Sequence, residues 1–166
     1  MSDGSESLIP DETRAMVGQV IGEPVTATIT AEGAHRYAQA VDDLNPLYFD
    51  EEHAKAAGYR TMVCPPTYIA HAVVRGRPLS ELRPDGLFRG GRRVAVRAHR
   101  VMFGGEAWEF LAPVYIGDTV TATTRFVDVE EKQGRSGPFV LMTNETTYTN
   151  QDGTVVAKSR QLSIAR

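Results

Sequence analysis

The stretch CPPTYIAHAVV, residues 64–74, decides the fold. From Tyr68 onward its residues are apolar on nearly every side of a helix, which is typical of a helix buried in a protein core. Pro65 and Pro66 stand directly before this run, and proline is favoured at the start of a helix because its ring presets φ and its missing N–H needs no partner there. The sequence therefore predicts a helix inside the core that begins just after the two prolines.

Downstream of residue 90, apolar side chains recur at every second position, which predicts β-strands. The alternation begins over residues 94–98, returns over residues 119–130, and continues in residues 139–149 and 154–164. The last two runs are joined by Asn150-Gln151-Asp152-Gly153, a turn whose Asp-Gly pair suits positive φ. We therefore expect an antiparallel meander in the C-terminal half.

Two further helices are predicted upstream. Thr30 is a favourable N-cap for a helix over residues 31–42, in which one apolar face follows the i, i+3, i+4, i+7 spacing: Ala34, Tyr37, Ala38 and Val41. Asn45-Pro46 should interrupt this helix, because the residue before proline is pushed out of the helical region. Asp50 then caps a short helix with an acidic first turn, which ends at Gly58.

These elements define the fold class. A chain of 166 residues can bury one core, so we expect a single domain over residues 1–166, with residues 1–20 as an N-terminal extension. An apolar helix among long antiparallel strands is buried only if the sheet curls around it, which predicts an α+β helix-in-sheet layout. Such a sheet keeps an open edge, and a dimer is the usual way to cover it.

Composition argues against several classes of function. Lys and Arg number 18 against 21 Asp and Glu, a net charge of −3, which disfavours nucleic acid as a partner. Cys64 is the only cysteine, so the sequence offers neither an intramolecular disulfide nor the thiolates of a structural zinc site, and we expect no metal. No apolar run approaches the ~18 residues of a membrane span, and residues 1–6 lack the basic start of a signal peptide. We expect a cytoplasmic protein.

The segment Asp43-Leu44-Asn45-Pro46-Leu47-Tyr48-Phe49-Asp50 resembles the signature of the MaoC-like hydratase and dehydratase family, Asp-x-Asn-Pro-aliphatic-His-x-Asp. The one departure is Tyr48, which stands where the family has histidine. Further stretches resemble the FAS1-like dehydratase branch and follow in the family's order from about residue 20 onward: 57–59, 64–67, 109–114, 117–119, 131–137 and 149–153. The resemblance implies a hot-dog fold, a sheet wrapped around one central helix, which agrees with the layout above.

The resemblance also implies an activity. The family adds or removes water at the double bond of an enoyl thioester, and the coenzyme A or acyl carrier protein that bears the acyl group is part of the substrate, so no separate cofactor is implied. Removing a proton beside a thioester carbonyl places negative charge on the carbonyl oxygen. The site therefore needs a base, an acid for the departing hydroxyl, and hydrogen-bond donors at that oxygen.

Asp43, Asn45 and Tyr48 are the catalytic candidates that the resemblance places in this site. Asp43 matches the family's carboxylate, and Asn45 is positioned to orient it or the substrate; the alternative is that both only form a turn beside Pro46. A tyrosine titrates near pH ~10 and a histidine near ~6.5, so Tyr48 is a poor base. Loss of a positioned acid–base group typically costs ~10² to 10⁴ in rate.

Four residues are candidates for substrate binding. Thr67 follows Pro65 and Pro66, which have no N–H to offer an oxyanion, so its own N–H or hydroxyl is the remaining donor at the helix start. His71 lies in the apolar helix, where a core histidine is the alternative. Lys132 and Arg135 flank a glycine-containing turn and could meet the phosphates of coenzyme A, or simply be solvated.

A basic stretch with Arg89, Arg92 and Arg93 is a further candidate contact for a carrier protein.

Three functions remain open from the sequence. The first is an autonomous acyl-thioester dehydratase or enoyl hydratase acting as a homodimer, with Asp43 as base. The second is a non-catalytic, substrate-binding subunit that pairs with a histidine-bearing MaoC-like subunit, and the departures at Tyr48 and at the two prolines favour it. A hot-dog thioesterase is the third and is less favoured, because Asp-x-Asn-Pro resembles the hydratases.

Overall fold

The computed structural model describes residues 6–74, 76, 78–82, 84 and 94–166. Within them, one antiparallel sheet runs in the order β1-β3-β4-β5-β2. Its strands are β1 (Val25–Thr28), β2 (Val101–Phe110), β3 (Thr119–Gly134), β4 (Gly137–Thr149) and β5 (Val155–Ala165). The helices are α1 (Asp11–Ala15), α2 (Ala31–Ala40), α3 (Glu51–Ala56) and α4 (Tyr68–Ala72), with 3-10 turns at Pro46–Tyr48 and Leu79–Glu81. The predicted α+β class is confirmed.

The C-terminal meander is confirmed. β3 pairs with β4 from Thr121 opposite Thr149 to Gly134 opposite Gly137, and β4 pairs with β5 over nearly its whole length. The β4–β5 turn is stabilised by Asn150, whose Oδ1 accepts from the N–H groups of Asp152 and Thr154. Gly153 adopts the positive φ that the Asp-Gly pair predicts.

The strand predicted over residues 94–98 is wrong. Within the described residues this segment pairs with no strand, and β2 begins only at Val101. Its hydrogen bonds go to the N-terminal segment instead: the N–H of Arg97 donates to the Leu8 carbonyl, and Thr13 Oγ1 donates to the Ala95 carbonyl. The alternation arises because Val94 and Val96 are buried with Ile9 in one apolar cluster. Part of the predicted N-terminal extension thus packs into the core.

The two helix caps predicted from the sequence are confirmed. Thr30 Oγ1 accepts from the N–H of Gly33 at 3.2 Å, and Asp50 Oδ1 accepts from the N–H of His53 at 3.0 Å. α2 ends at Ala40, two residues before the predicted end at residue 42, because Asp42 adopts a left-handed φ of 56°. The chain therefore leaves α2 one turn before the Asn45-Pro46 pair.

The core helix is shorter and less buried than the sequence predicts. α4 spans five residues, and its first turn, Tyr68 and Ile69, packs into the cluster that covers Val120 and Val156 of the sheet. Beyond that turn the prediction of a helix buried on all sides is wrong, since Val74 is 68% exposed. Ala72 and Val73 are only partly buried against the same cluster.

A substitution at Gly33 of α2 tests the packing of the two helices. Replacing glycine by alanine inside a helix normally stabilises a protein by roughly 1 kcal/mol. Here a Cβ at position 33 would overlap the Tyr68 hydroxyl of α4. Gly33→Ala is therefore expected to lower the free energy of unfolding by about 1–3 kcal/mol, measured by urea denaturation.

The matched control is the same substitution in a Tyr68→Phe background, which removes the obstructing oxygen. Gly33→Ala should cost much less there. An equal loss in both backgrounds would contradict the contact.

Candidate functional site

Asp43 and Tyr48 meet at the loop after α2. The Tyr48 hydroxyl donates to Asp43 Oδ2 at 3.1 Å, and the Asp43 N–H donates to the Ala38 carbonyl at 2.9 Å, which fixes the carboxylate beside the helix end. Tyr48 is 7% exposed, whereas Asp43 is half-buried. The structure thus brings together the two residues that the signature places at the family's carboxylate and histidine positions.

Asn45 shapes the loop between them. Its Oδ1 accepts from the N–H of Leu47 at 3.1 Å and so caps the 3-10 turn that carries Tyr48. This is the turn-forming role weighed above. Asn45 is exposed and borders a cavity beside Tyr48.

The surroundings of Tyr48 hold it in the protonated form. Burial, the hydrogen bond to Asp43 and the negative charge of Asp43 together raise the pKa of Tyr48 to about 12. At neutral pH Tyr48 is therefore a hydrogen-bond donor and not a base.

A second contact positions the same turn, and the sequence analysis did not find it. His35 Nε2–H donates to the Tyr48 carbonyl at 2.8 Å, and the His35 ring packs on Phe49 with 4.7 Å between ring centroids. The only sequence signal was its place on α2, one residue after the buried Ala34. His35 Nε2 is therefore engaged in a structural hydrogen bond.

An apolar cavity of about 380 Å³ lies beside Tyr48. Its walls come from five places in the chain: the 3-10 turn, residues 59–66, Ile69 of α4, residues 110–114 and Val156 of β5. Cavities of this size and polarity bind small organic ligands. Cys64 lines it, but burial and the charge of Asp118 raise the pKa of its thiol to about 12, so the thiol stays protonated and is not a nucleophile.

Thr67 and His71 lie together on the outer side of α4. The Thr67 hydroxyl shares a 2.9 Å hydrogen bond with the Tyr37 hydroxyl, and the His71 ring centroid is 6.0 Å from that of Tyr37. Both Thr67 and His71 are exposed, so His71 is not a core histidine. In the described part of the chain, neither is hydrogen-bonded to Asp43 or Tyr48.

Lys132 and Arg135 lie far from the Asp43 site within one chain. They are at the tip of the β3–β4 hairpin, where Lys132 pairs with Phe139 of β4 and its Nζ is 2.8 Å from Glu130. Phe139 is nine residues from Tyr148 along β4, about 30 Å if the strand is straight at roughly 3.3 Å per residue, and Tyr148 packs in the same cluster as Tyr68 of α4. The predicted stretch with Arg89, Arg92 and Arg93 lies outside the described residues.

A buried carboxylate anchors the far wall of the apolar cavity. Asp118 is 3% exposed and accepts from Arg60, from Gln151 Nε2 at 3.0 Å and from the Tyr115 N–H at 2.9 Å. Burial alone would raise the pKa of Asp118, but these hydrogen bonds outweigh it and the pKa lies below its ordinary value. The Arg60 guanidinium also lies 4.2 Å from the centre of the Tyr115 ring. Asp118 lies in the 117–119 stretch of the resemblance, to which the sequence assigns no role.

The described residues contain no group of three or more His, Cys, Asp or Glu side chains placed to hold a metal ion. None of their helices is both long and apolar enough to span a bilayer.

Comparison with known proteins identifies the fold and the family. The family described as FAS1-like, dehydratase domain region, matches residues 15–159. A UPF0336 protein of Thermobifida fusca is 27% identical, covering 92% of this chain and 93% of its own. The mitochondrial 3-hydroxyacyl-[acyl-carrier-protein] dehydratase of Arabidopsis thaliana is 24% identical, covering 96% and 83%. Among solved structures, the ChsH1-ChsH2 complex of Mycobacterium tuberculosis matches with a TM-score of 0.72 at 20% identity, covering 93% and 91%. The predicted hot-dog fold and the resemblance are confirmed.

Proposed function

The chain belongs to the family of FAS1-like dehydratase domains, and from that premise we propose that it serves the reversible hydration of 2-enoyl thioesters as the acyl-binding half of a two-subunit enzyme. One observation carries the proposal. Tyr48 occupies the family's histidine position, donates a hydrogen bond to Asp43 and has a pKa raised to about 12. The chain thus keeps the carboxylate of a hydratase site at Asp43 but has a tyrosine in place of the catalytic histidine.

The reaction shows what this pair cannot do. In the dehydration direction a base removes a proton from C2 of a 3-hydroxyacyl thioester, and the hydroxyl leaves C3 with a second proton as water, which forms the C2–C3 double bond. A histidine beside the carboxylate accepts and returns such protons near neutral pH. Tyr48 cannot replace it, because its hydroxyl already donates to Asp43 and gives up its proton only near pH 12.

The start of α4 also lacks groups that the reaction needs. Charge on the thioester oxygen is normally stabilised by N–H donors, and the two residues that precede Thr67 here are prolines, which have none. Thr67 remains as a donor, with its hydroxyl held by Tyr37 at 2.9 Å. These features support a role in binding the acyl thioester rather than in proton transfer.

The apolar cavity beside Tyr48 supports the binding role directly. Its lining is largely aliphatic and aromatic, which suits the acyl part of a substrate. The carrier, coenzyme A or acyl carrier protein, belongs to the substrate, so hydration on this site needs no separate cofactor.

The exposed edge strand β2 favours a partner subunit. β2 is at one edge of the sheet and leaves Met102, Phe103 and Phe110 between 44% and 67% exposed. An apolar edge strand of this kind needs a cover, and a second MaoC-like subunit provides one by pairing. A homodimer of this chain would lack the histidine in both halves, so the active assembly pairs it with a subunit that carries Asp-x-Asn-Pro-x-His.

The test is co-expression with each histidine-bearing MaoC-like subunit of the same genome, followed by purification and assay of enoyl-CoA hydration. We expect a stable complex with one of them. Its activity should be abolished by Asp→Asn in the partner's motif and largely retained by Asp43→Asn in this chain. The reverse dependence, or release of free thiol in place of hydration, would contradict the proposal.

A further inference from the structure

The inner face of the sheet carries a band of polar residues between two apolar ends. On β4 this face reads Val140, Met142, Asn144, Thr146, Tyr148, and on β5 it reads Ala157, Ser159, Gln161, Ser163, Ala165. Alternation along a strand places each of these sets on one face. We call the middle residues the polar belt, together with their neighbours on β3 and β2: Thr124, Asn144, Thr146, Ser159, Gln161, Ser163 and Glu106.

The polar belt is continuous from strand to strand. Thr146 pairs with Thr124 on one side and with Ser159 on the other. Asn144 pairs with Gln161, which pairs in turn with Glu106 of β2. Directly paired residues have their Cβ atoms about 5 Å apart, so these side chains form one patch.

A cavity of about 480 Å³ lies over the polar belt, bordered by Ala70 of α4. Polar side chains on the inner face of a sheet are unusual, because that face normally packs on an apolar layer. Asn144 Oδ1 is out of contact with solvent and has no hydrogen-bond partner among the described residues. A buried carbonyl oxygen left in this state costs free energy that a ligand donor would recover. The lining therefore suits a ligand with a hydrogen-bonding group.

A row of aromatic rings links this cavity to the apolar cavity beside Tyr48. Phe110 lines the apolar cavity and Tyr148 lines the cavity over the polar belt. Trp108 stacks on both, with ring centroids 5.5 Å from Phe110 and 5.3 Å from Tyr148. The two cavities thus adjoin the same row of aromatic rings.

We infer that the polar belt binds a hydroxyl group on the far part of the acyl chain, so that the substrates are acyl thioesters hydroxylated away from the reacting carbons. The inference rests on the proposed function. A hydroxyl can donate to Asn144 Oδ1 and accept from the amide N–H of Gln161. An unsubstituted chain would cover these groups without pairing them. Glu106 disfavours a carboxylate in the same place, since like charges repel.

The experiment compares two saturated ligands, which bind without being hydrated. Titration calorimetry of the full chain with ω-hydroxydecanoyl-CoA and with decanoyl-CoA is expected to show about tenfold tighter binding of the hydroxylated ligand. Asn144→Leu should remove this preference, and Gln161→Leu should reduce it. Glu145→Gln is the control, because Glu145 is on the opposite face of β4 and pairs with Arg160; it should keep the preference.

The possible outcomes distinguish failure of the polar-belt inference from failure of the proposed function. Equal binding of the two ligands, or a preference that survives Asn144→Leu in a protein with the wild-type circular dichroism spectrum, would overturn the inference and leave the proposed function standing. Binding of neither ligand would overturn both.

Discussion

Replacing Tyr48 by histidine is expected to give the isolated chain an enoyl-CoA hydratase activity about 10²-fold above that of wild type. The substitution places a group that titrates near neutral pH beside Asp43, where the tyrosine hydroxyl now donates a hydrogen bond to the carboxylate at 3.1 Å. The gain should stay at the low end of the range for acid–base catalysis, because Pro65 and Pro66 offer no N–H to the thioester oxygen. Loss of the enoyl absorbance measures the rate.

Two variants make this result specific. Tyr48→Phe removes the hydroxyl without adding a base and should remain as inactive as wild type. Tyr48→His combined with Asp43→Asn should lose the gain. A Tyr48→His protein that folds and is no faster than Tyr48→Phe would show that position 48 is not what limits the chain.

Removing the buried carboxylate of Asp118 is expected to cost about 2–4 kcal/mol in the free energy of unfolding. Asp118→Ala leaves the Tyr115 N–H and the Gln151 amide without their acceptor. It also frees residues 59–63 of the cavity wall, which Arg60 ties to Asp118. The Arg60 side chain is 57% exposed and can turn to solvent, which limits the loss. Urea denaturation at neutral pH measures it.

The pH dependence of this loss follows from the lowered pKa of Asp118. A carboxyl whose folded pKa lies below its unfolded value of ~3.9 stabilises the protein above that pH, and the contribution is lost as pH falls through the folded pKa. The stability difference between wild type and Asp118→Asn should therefore shrink on acidification below pH ~4. A difference that stays constant down to acid unfolding would contradict the role assigned to the charge.

The predictable parts of the fold are those with local causes. The Thr30 and Asp50 caps each involve a donor three residues away, and the strands of the meander show their alternation directly in the sequence. Residues 94–98 show the same alternation, but alternation indicates only that one side of the segment is buried and does not show that the segment pairs with a strand. Their partner is the N-terminal segment around Ile9, some 85 residues distant, and no local pattern predicts that contact.

The candidate site divides in the same way. Asp43 and Tyr48 are five residues apart, so the signature alone places them close together. Asp118 and Arg60 are 58 residues apart and meet only in the folded chain. The polar belt depends on the register of four strands, and in the sequence its serines and threonines are indistinguishable from those of an exposed strand face. Lys132 and Arg135 are predicted to meet coenzyme A phosphates from their place beside a glycine-containing turn, which the structure puts at the tip of the β3–β4 hairpin.

The most direct test of the central claim is hydration of a short enoyl-CoA, such as crotonyl-CoA, by the purified chain without any partner. The account predicts that folded wild-type protein turns over no faster than Asp43→Asn, because Tyr48 supplies no base. Turnover by the wild-type chain that is lost in Asp43→Asn would contradict it and show that the chain is an enzyme by itself.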